Sequence, residues 1–400
     1  MRIVIAPDKF RDSLDAPAVG AALEAGIRTV DPDVDLTVVP MADGGEGTID
    51  AAISSGFARH SATVTGPLGE PIEAVFALQG SEAVIELASA SGLALVPRAQ
   101  RDALRATSRG TGELILAALD LGARFFTLAI GGSASTDGGS GMLTALGARL
   151  LGADGEELPA GGGSLGRLER VDLSALDERL SGARFTLASD VNSPLLGPHG
   201  AAATFGPQKG ASAAEVAQLE LGLTRYVHRL VSAVQDRGCP TLPTDPAEKP
   251  GAGAAGGVGF AAIAVLGAEQ RPGVDVLCEL TRLRAHLAGA DLVVTGEGSF
   301  DEQSLAGKTP IGVARAANTL DIPTVVVCGR NELSEREWRE AGVSGCYVVQ
   351  DRAPDRASSI RDAAHYLSEI GAEVARDWEQ REDRTVVNAS GGLASPPHHR

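Results

Sequence analysis

Residues 125–142 read FFTLAIGGSASTDGGSGM, and the reading of this stretch decides the fold. Phe125 to Ile130 is a short apolar run with β-branched and aromatic members, the composition of a buried strand. It breaks into Gly131, Gly132, Ser133, Ser135, Thr136, Asp137, Gly138, Gly139 and Gly141, which carry almost no bulk. The following MLTALGARLL, residues 142–151, has apolar residues at helical spacing. A strand, a glycine-rich turn and a helix in that order is how α/β proteins offer bare backbone N–H groups and a helix N-terminus to an anion, phosphate above all. Glycine alone would be weak support, because the chain has 50 of them and a tight turn needs them too. The interleaved hydroxyls and carboxylate carry the reading further. Hydroxyls bond phosphate oxygens, and a carboxylate beside them repels phosphate unless it holds a metal or polarises a hydroxyl.

Working outward, 400 residues leave room for about two to three domains and a sizeable core. A 44% hydrophobic content with a mean hydropathy of +0.04 places the chain among globular proteins rather than disordered ones. No apolar run reaches bilayer length, and the apolar run inside MRIVIAPDKF is too short for the core of a signal peptide, so a cytoplasmic protein is expected. A net charge of −17 argues against nucleic acid or an anionic membrane as partner, since phosphate backbones must be met by Lys and Arg. Cys239, Cys278, Cys328 and Cys346 lie far apart with no C-x-x-C spacing and read as buried thiols.

Several other strand exits carry polar groups, and in parallel sheets ligands bind at the C-terminal ends of strands. A strand over Arg2–Ala6 ends in Pro7-Asp8-Lys9-Phe10-Arg11, which makes Asp8, Lys9 and Arg11 candidates. Asp15 then caps a helix with Pro17 in its first turn. A strand over Asp35–Met41 runs into Asp43-Gly44-Gly45-Glu46, where Asp43 either caps the next helix or faces the same ligand crevice. Between Ala62 and Leu87 the pattern alternates, as in an antiparallel or mixed sheet, so a domain boundary is placed near Gly66. Arg109, ahead of a helix over Glu113–Leu121, is either an anion clamp or a loop charge. A strand over Arg184–Ser189 exits into Asp190-Val191-Asn192, an acid and an amide suited to a general base and a ligand, or to a plain Asx turn. A strand over Asp291–Thr295 exits into Gly296-Glu297-Gly298-Ser299-Phe300-Asp301-Glu302-Gln303. Gly307-Lys308-Thr309 imitates the end of a P-loop, but Glu302 stands where that motif needs glycine. Gly251 to Gly256 matches G-x-G-x-x-G without a strand before it; a nicotinamide-dependent hydroxy-acid oxidoreductase built on it is the alternative reading. From Asp377 a flexible tail is expected.

Ten segments taken together resemble a known family: IVIAPDKFRDSL, PMADGGEGT, VTGPLGE, ATSRGTGELI, IGGSASTDGGSGM, GGGSL, SDVNSPL, FGPQKGA, PGAGAAGGVG and TGEGSFDEQSLAGKTPIGVA. In this order, over residues 1 to about 350, they are similar to the bacterial glycerate kinases that act on D-glycerate. In place of the serine and lysine usual in the family's opening motif, this chain has Lys9 and Arg11.

The resemblance implies an α/β architecture. A Rossmann-like parallel-sheet domain (1–65 and 285–376) is interrupted by a second α/β domain with a mixed sheet (66–284), with the tail at 377–400. It also implies ATP-dependent phosphorylation of D-glycerate by in-line transfer in the cleft between domains, with Mg²⁺ as cofactor, the 2-phosphate favoured over the 3-phosphate, and no nucleic-acid or membrane partner. A homo-oligomer is left open. On this reading Gly131, Gly132, Ser133, Ser135, Asp137, Gly138 and Gly139 cradle ATP phosphates. Arg11 and Lys9 take the substrate carboxylate, and Asp190 accepts the hydroxyl proton with Asp8 beside the chemistry. Asp43, Asn192 and Gln303 orient substrate, and Glu297 and Asp301 hold the metal.

Overall fold

The computed structural model describes residues 1–236 and 245–390, with side chains to residue 380. Two compact units divide the chain: Met1–Pro40 together with the chain from Leu283 onward, and Met41–Arg282.

The first unit is built on a five-stranded, fully parallel sheet. Its strands are β1 (Arg2–Pro7), β2 (Asp35–Val38), β11 (Leu292–Phe300), β12 (Thr324–Asn331) and β13 (Gly345–Val348), in the order β13-β12-β11-β1-β2. Central β1 and β11 are apolar on both faces, with Ile3, Val4, Ile5, Val293 and Val294 fully buried, as a sheet covered on both sides requires. Asp15 caps the helix Ala16–Val30 by accepting from Ala18 N at 2.8 Å, and Pro17 sits in its first turn. Val19, Leu23 and Ile27 of that helix pack with Leu367, Ile370 and Val374 of the helix Ala363–Ser390. The expected tail therefore begins inside a helix: Tyr347 donates to Asp377 at 2.9 Å and Trp378 packs on the core. Residues 391–400 lie outside the described residues.

The second unit holds a six-stranded mixed sheet. Its strands are β3 (Ala58–Thr65), β4 (Pro71–Gln79), β5 (Glu82–Glu86), β6 (Phe125–Ala129), β9 (Arg184–Ala188) and β10 (Glu269–Arg271), in the order β10-β9-β6-β5-β4-β3. β5, β6, β9 and β10 are parallel, while β3, β4 and β5 run antiparallel. The expected boundary near Gly66 falls inside this unit. β3 pairs along its whole length with β4, from Ala58↔Leu78 to Thr65↔Pro71, and Ile49 and Ala52 pack with Phe57, Ala77 and Val84. The chain leaves the first sheet already at Pro40.

The central stretch forms β6, a turn and the helix Ser140–Ala145. That helix ends earlier than its spacing suggested, because Gly147 takes φ 105°. Arg149–Leu151 (β7) instead pairs antiparallel with Arg170–Asp172 (β8). Among the other expectations, only Cys328 is fully buried; Cys278 and Cys346 are partly exposed, and Cys239 lies outside the described residues. Among the described residues no helix is long and apolar enough to cross a membrane.

Candidate active site

In the second unit the parallel strands β6 and β9 deliver their exits to one end of the sheet. The loop after β6 comes against the Asp43–Gly45 segment: Gly131 N donates to Gly44 O at 3.4 Å, and a Cβ on Gly131 would lie 2.7 Å from Gly45 Cα. Only glycine allows that approach. The loop is pinned on its other side by Leu93 N to Gly132 O at 2.8 Å and Ala134 N to Ser91 O at 2.9 Å. These bonds leave the N–H groups of Gly132 and Ser133 with no acceptor among the described residues. Gly132 is exposed and takes φ 75°.

Beneath them lies Lys209, which is 2% exposed. Its ammonium donates to Ser133 Oγ at 2.8 Å and to the Ser135 carbonyl. With its oxygen accepting from Lys209, the Ser133 hydroxyl keeps its own proton, for which no acceptor exists among the described residues. Burial pushes the lysine down to about 7, partly opposed by Asp137. Ser135 Oγ and Thr136 Oγ1 are buried and have no hydrogen-bond partner among the described residues.

The inner half of the same loop is different. Asp137 is fully buried and accepts from Ser108 N (2.9 Å), Ser108 Oγ (2.8 Å), Gly139 N (3.0 Å) and Gly141 N (3.1 Å). A carboxylate so occupied organises the loop. Gly138 takes φ 67°, and a Cβ there would lie 2.8 Å from the Tyr226 ring; one on Gly139 would lie 2.5 Å from Ala261 Cβ. Asp137, Gly138 and Gly139, expected to cradle phosphate, are thus buried, and the N–H groups of Gly138 and Gly139 donate to Gly256 O and Asp137 Oδ1.

At the β9 exit, Asp190 is exposed and its Oδ1 accepts from Gly273 N at 2.9 Å, at the start of the helix Gly273–Leu280. Asp43 is half-buried beside it, its carbonyl 2.0 Å from where a Cβ on Gly273 would stand. Asn192 is exposed on the same loop, which Gln270 holds through the Ser189 and Val191 carbonyls at 3.3 and 3.2 Å. Arg109 pairs with Glu113 at 2.9 Å, one turn along its own helix.

In the first unit Asp8 is buried at the exit of β1 and accepts from Thr309 Oγ1 at 2.7 Å, at the head of the helix Thr309–Asn318. Glu297 does not lie in an exit loop, as expected, but inside β11, which continues to Phe300 because Ser299 and Phe300 still pair with β12. It is 8% exposed, and its Oε1 has no hydrogen-bond partner among the described residues. Burial pushes its carboxyl up to about 8, Asp8 and Asp301 adding to the shift and Ser304 and Lys308 opposing it. Asp301 caps the next short helix, accepting from Gln303 N at 2.9 Å and from Ser299 Oγ at 3.1 Å. Gln303 is exposed, and its Oε1 accepts from Lys308 at 3.1 Å. Lys9 is half-buried. Arg11 is exposed and meets no carboxylate among the described residues.

A model of the glycerate kinase family matches residues 3–379. The chain belongs to that family. It is 48% identical to the glycerate 2-kinase of Escherichia coli (strain K12), over 82% of this chain and 85% of that one. It is 42% identical to the glycerate kinase of Bacillus subtilis (strain 168), over 94% and 97%. A crystal structure assigned as glycerate kinase 2 of Salmonella typhimurium LT2 superposes with a TM-score of 0.82 at 40% identity, covering 96% of this chain and 99% of the other. The protein is thus an enzyme of the glycerate kinase family, and the oxidoreductase alternative has no support. Residues 246–253, leading into the G-x-G-x-x-G segment, form turns rather than a strand.

Two residues that hold these loops had no assigned role in the sequence. Lys209 stands in a polar loop, where lysine is ordinarily solvated; its burial comes from partners 76 and 74 residues away. Glu86, at the end of β5, accepts from Gly47 N and Ile49 N at 3.1 and 3.2 Å and so holds the Asp43 loop. Nothing local to either residue signals its place.

Proposed function

We propose that this enzyme phosphorylates D-glycerate at its 2-hydroxyl, with ATP as donor, by in-line transfer in the cytoplasm. The observation that carries the reading is the outer half of the glycine segment. Two backbone N–H groups and a hydroxyl proton that have no acceptor among the described residues, on a turn joined to a buried lysine, are a donor set for phosphate oxygens. Arg11 offers a planar fork to the substrate carboxylate, with Lys9 two residues away. Asp190 accepts the hydroxyl proton, and Asp43 and Asn192 orient the substrate. The relative in Escherichia coli named glycerate 2-kinase supports the 2-position.

No group of three or more His, Cys, Asp or Glu suited to a metal occurs among the described residues, so a cage made wholly of protein does not fit. Mg²⁺ held chiefly by substrate phosphates needs only one or two carboxylates, and the orphaned Glu297 Oε1, with Asp8 close enough to raise its pKa, fits that demand. Bound there, the ion would neutralise charge on the transferred phosphoryl group. Asp301 and Gln303 are more occupied and support the segment after β11.

ADP release from Mg-ATP, with and without D-glycerate and with the product passed to enolase alone, tests the reading. Glycerate-dependent ADP and direct conversion by enolase are expected. Absence of stimulation by D-glycerate would overturn the substrate, and conversion only after a mutase is added would overturn the 2-position.

A further inference from the structure

The neighbouring parallel strands β12 and β13 each carry a cysteine. Val326 stands opposite Cys346 and Cys328 opposite Val348, so the two cysteines are offset by two residues and leave the same face of the sheet. Their Sγ atoms are 3.9 Å apart. Cys328 is fully buried and Cys346 is partly open to solvent, an arrangement in which Cys346 is the more accessible member of the pair. The hydrogen bond from Cys328 holds the Cys346 thiol below its ordinary range, which favours the nucleophilic thiolate at the accessible position.

We propose that Cys346 and Cys328 form a peroxide-responsive dithiol that closes to a reversible disulfide. The Cys346 thiolate attacks one oxygen of hydrogen peroxide, forming an S–O bond as the O–O bond breaks, and the departing hydroxide takes up a proton to become water. The Cys328 sulfur then attacks the sulfur of the resulting sulfenic acid. The S–S bond forms, the S–O bond breaks, and the hydroxyl leaves as a second water with the proton of Cys328. Two thiols are oxidised and one peroxide is reduced.

Closing the sulfurs from 3.9 Å to about 2 Å across a diagonal pair draws the two strands toward each other, because diagonal positions lie near or beyond the reach of an undistorted bridge. Cys328 is also the register partner of Glu297 on β11, so the movement begins beside that carboxylate. The dithiol does not depend on the catalytic reading above.

The test exposes the full chain to hydrogen peroxide, blocks remaining thiols with iodoacetamide, digests without reductant and identifies linked peptides by mass spectrometry. The wild-type chain is expected to give peptides joined through Cys328 and Cys346, separated again by dithiothreitol. Cys328→Ser should stop at a sulfenic acid on Cys346 that dimedone labels, and Cys346→Ser should leave Cys328 unoxidised. Linkage through Cys239 or Cys278, oxidation of Cys346 to sulfinic acid without a bridge, or full alkylation throughout would overturn the proposal.

Discussion

Lys209 in the second unit and Glu297 in the first are both buried charges in disguise. Each is pushed toward its neutral form by burial, the lysine down to about 7 and the carboxyl up to about 8. Their partners differ. Lys209 has two acceptors supplied by the protein, Ser133 Oγ and the Ser135 carbonyl, whereas one oxygen of Glu297 has none among the described residues. A satisfied buried group shapes what surrounds it; an unsatisfied one marks where something else is meant to bind. On the proposed function, the lysine is a positioning residue for the Ser133 turn and the glutamate a receiving one.

The contrast breaks most sharply on Lys209→Met. The substitution keeps an apolar stem of similar length and removes the donor, leaving the Ser133 Oγ and Ser135 carbonyl acceptors without their ammonium at a cost of about 1–3 kcal/mol each. A folded protein with kcat/KM for ATP reduced about 100-fold is expected, the scale of losing one oriented donor, read from glycerate-dependent ADP release. Undiminished kcat/KM would reduce Lys209 to packing. The next effect is smaller. Glu297→Gln, with the same shape, should raise the Mg²⁺ concentration needed for half-maximal turnover about tenfold, and an unchanged Mg²⁺ requirement would remove Glu297 as a receiving group.

The smallest effect is on stability, and its sign separates the two residues. In chelator-treated protein the buried, protonated Glu297 contributes fully below its ordinary value of 4.5, and the contribution is lost as pH rises toward about 8. Lys209 behaves in the opposite sense: its contribution is full above 10.5 and is lost as pH falls toward about 7. The difference in melting temperature between wild type and Glu297→Gln should therefore shrink from pH 5 to 8, and that between wild type and Lys209→Met should grow from pH 7 to 10. Parallel slopes in thermal melts would show that the two burials are not equivalent in kind.

The same two residues explain what the sequence made legible. Local chemistry announced itself: the apolar run at Phe125, the glycines after it and the Asp15 cap all specify structure within a few residues. Long-range burial did not. Gly131–Gly132 and Gly138–Gly139 look alike on paper and three of the four take positive φ, yet the first pair borders solvent and the second lies under Tyr226 and Ala261. The domain boundary slipped from Pro40 to Gly66 for a similar reason, because the alternation of Ala58–Thr65 says that a partner strand exists without saying in which sheet. Family resemblance supplied the activity class, which no single motif could.

The position of β1 has a consequence for how the molecule is made. Its flank toward β11 pairs with residues such as Leu292, Val293 and Val294, and Arg2 N reaches Asp291 across 289 residues. During translation at about 5–20 residues per second, that flank waits on the order of tens of seconds for its neighbour. The second unit, encoded without interruption, emerges whole in the meantime. A nascent chain of this enzyme thus carries a finished middle and an unfinished beginning, and its first strand is the segment a ribosome-associated chaperone would have most reason to shield.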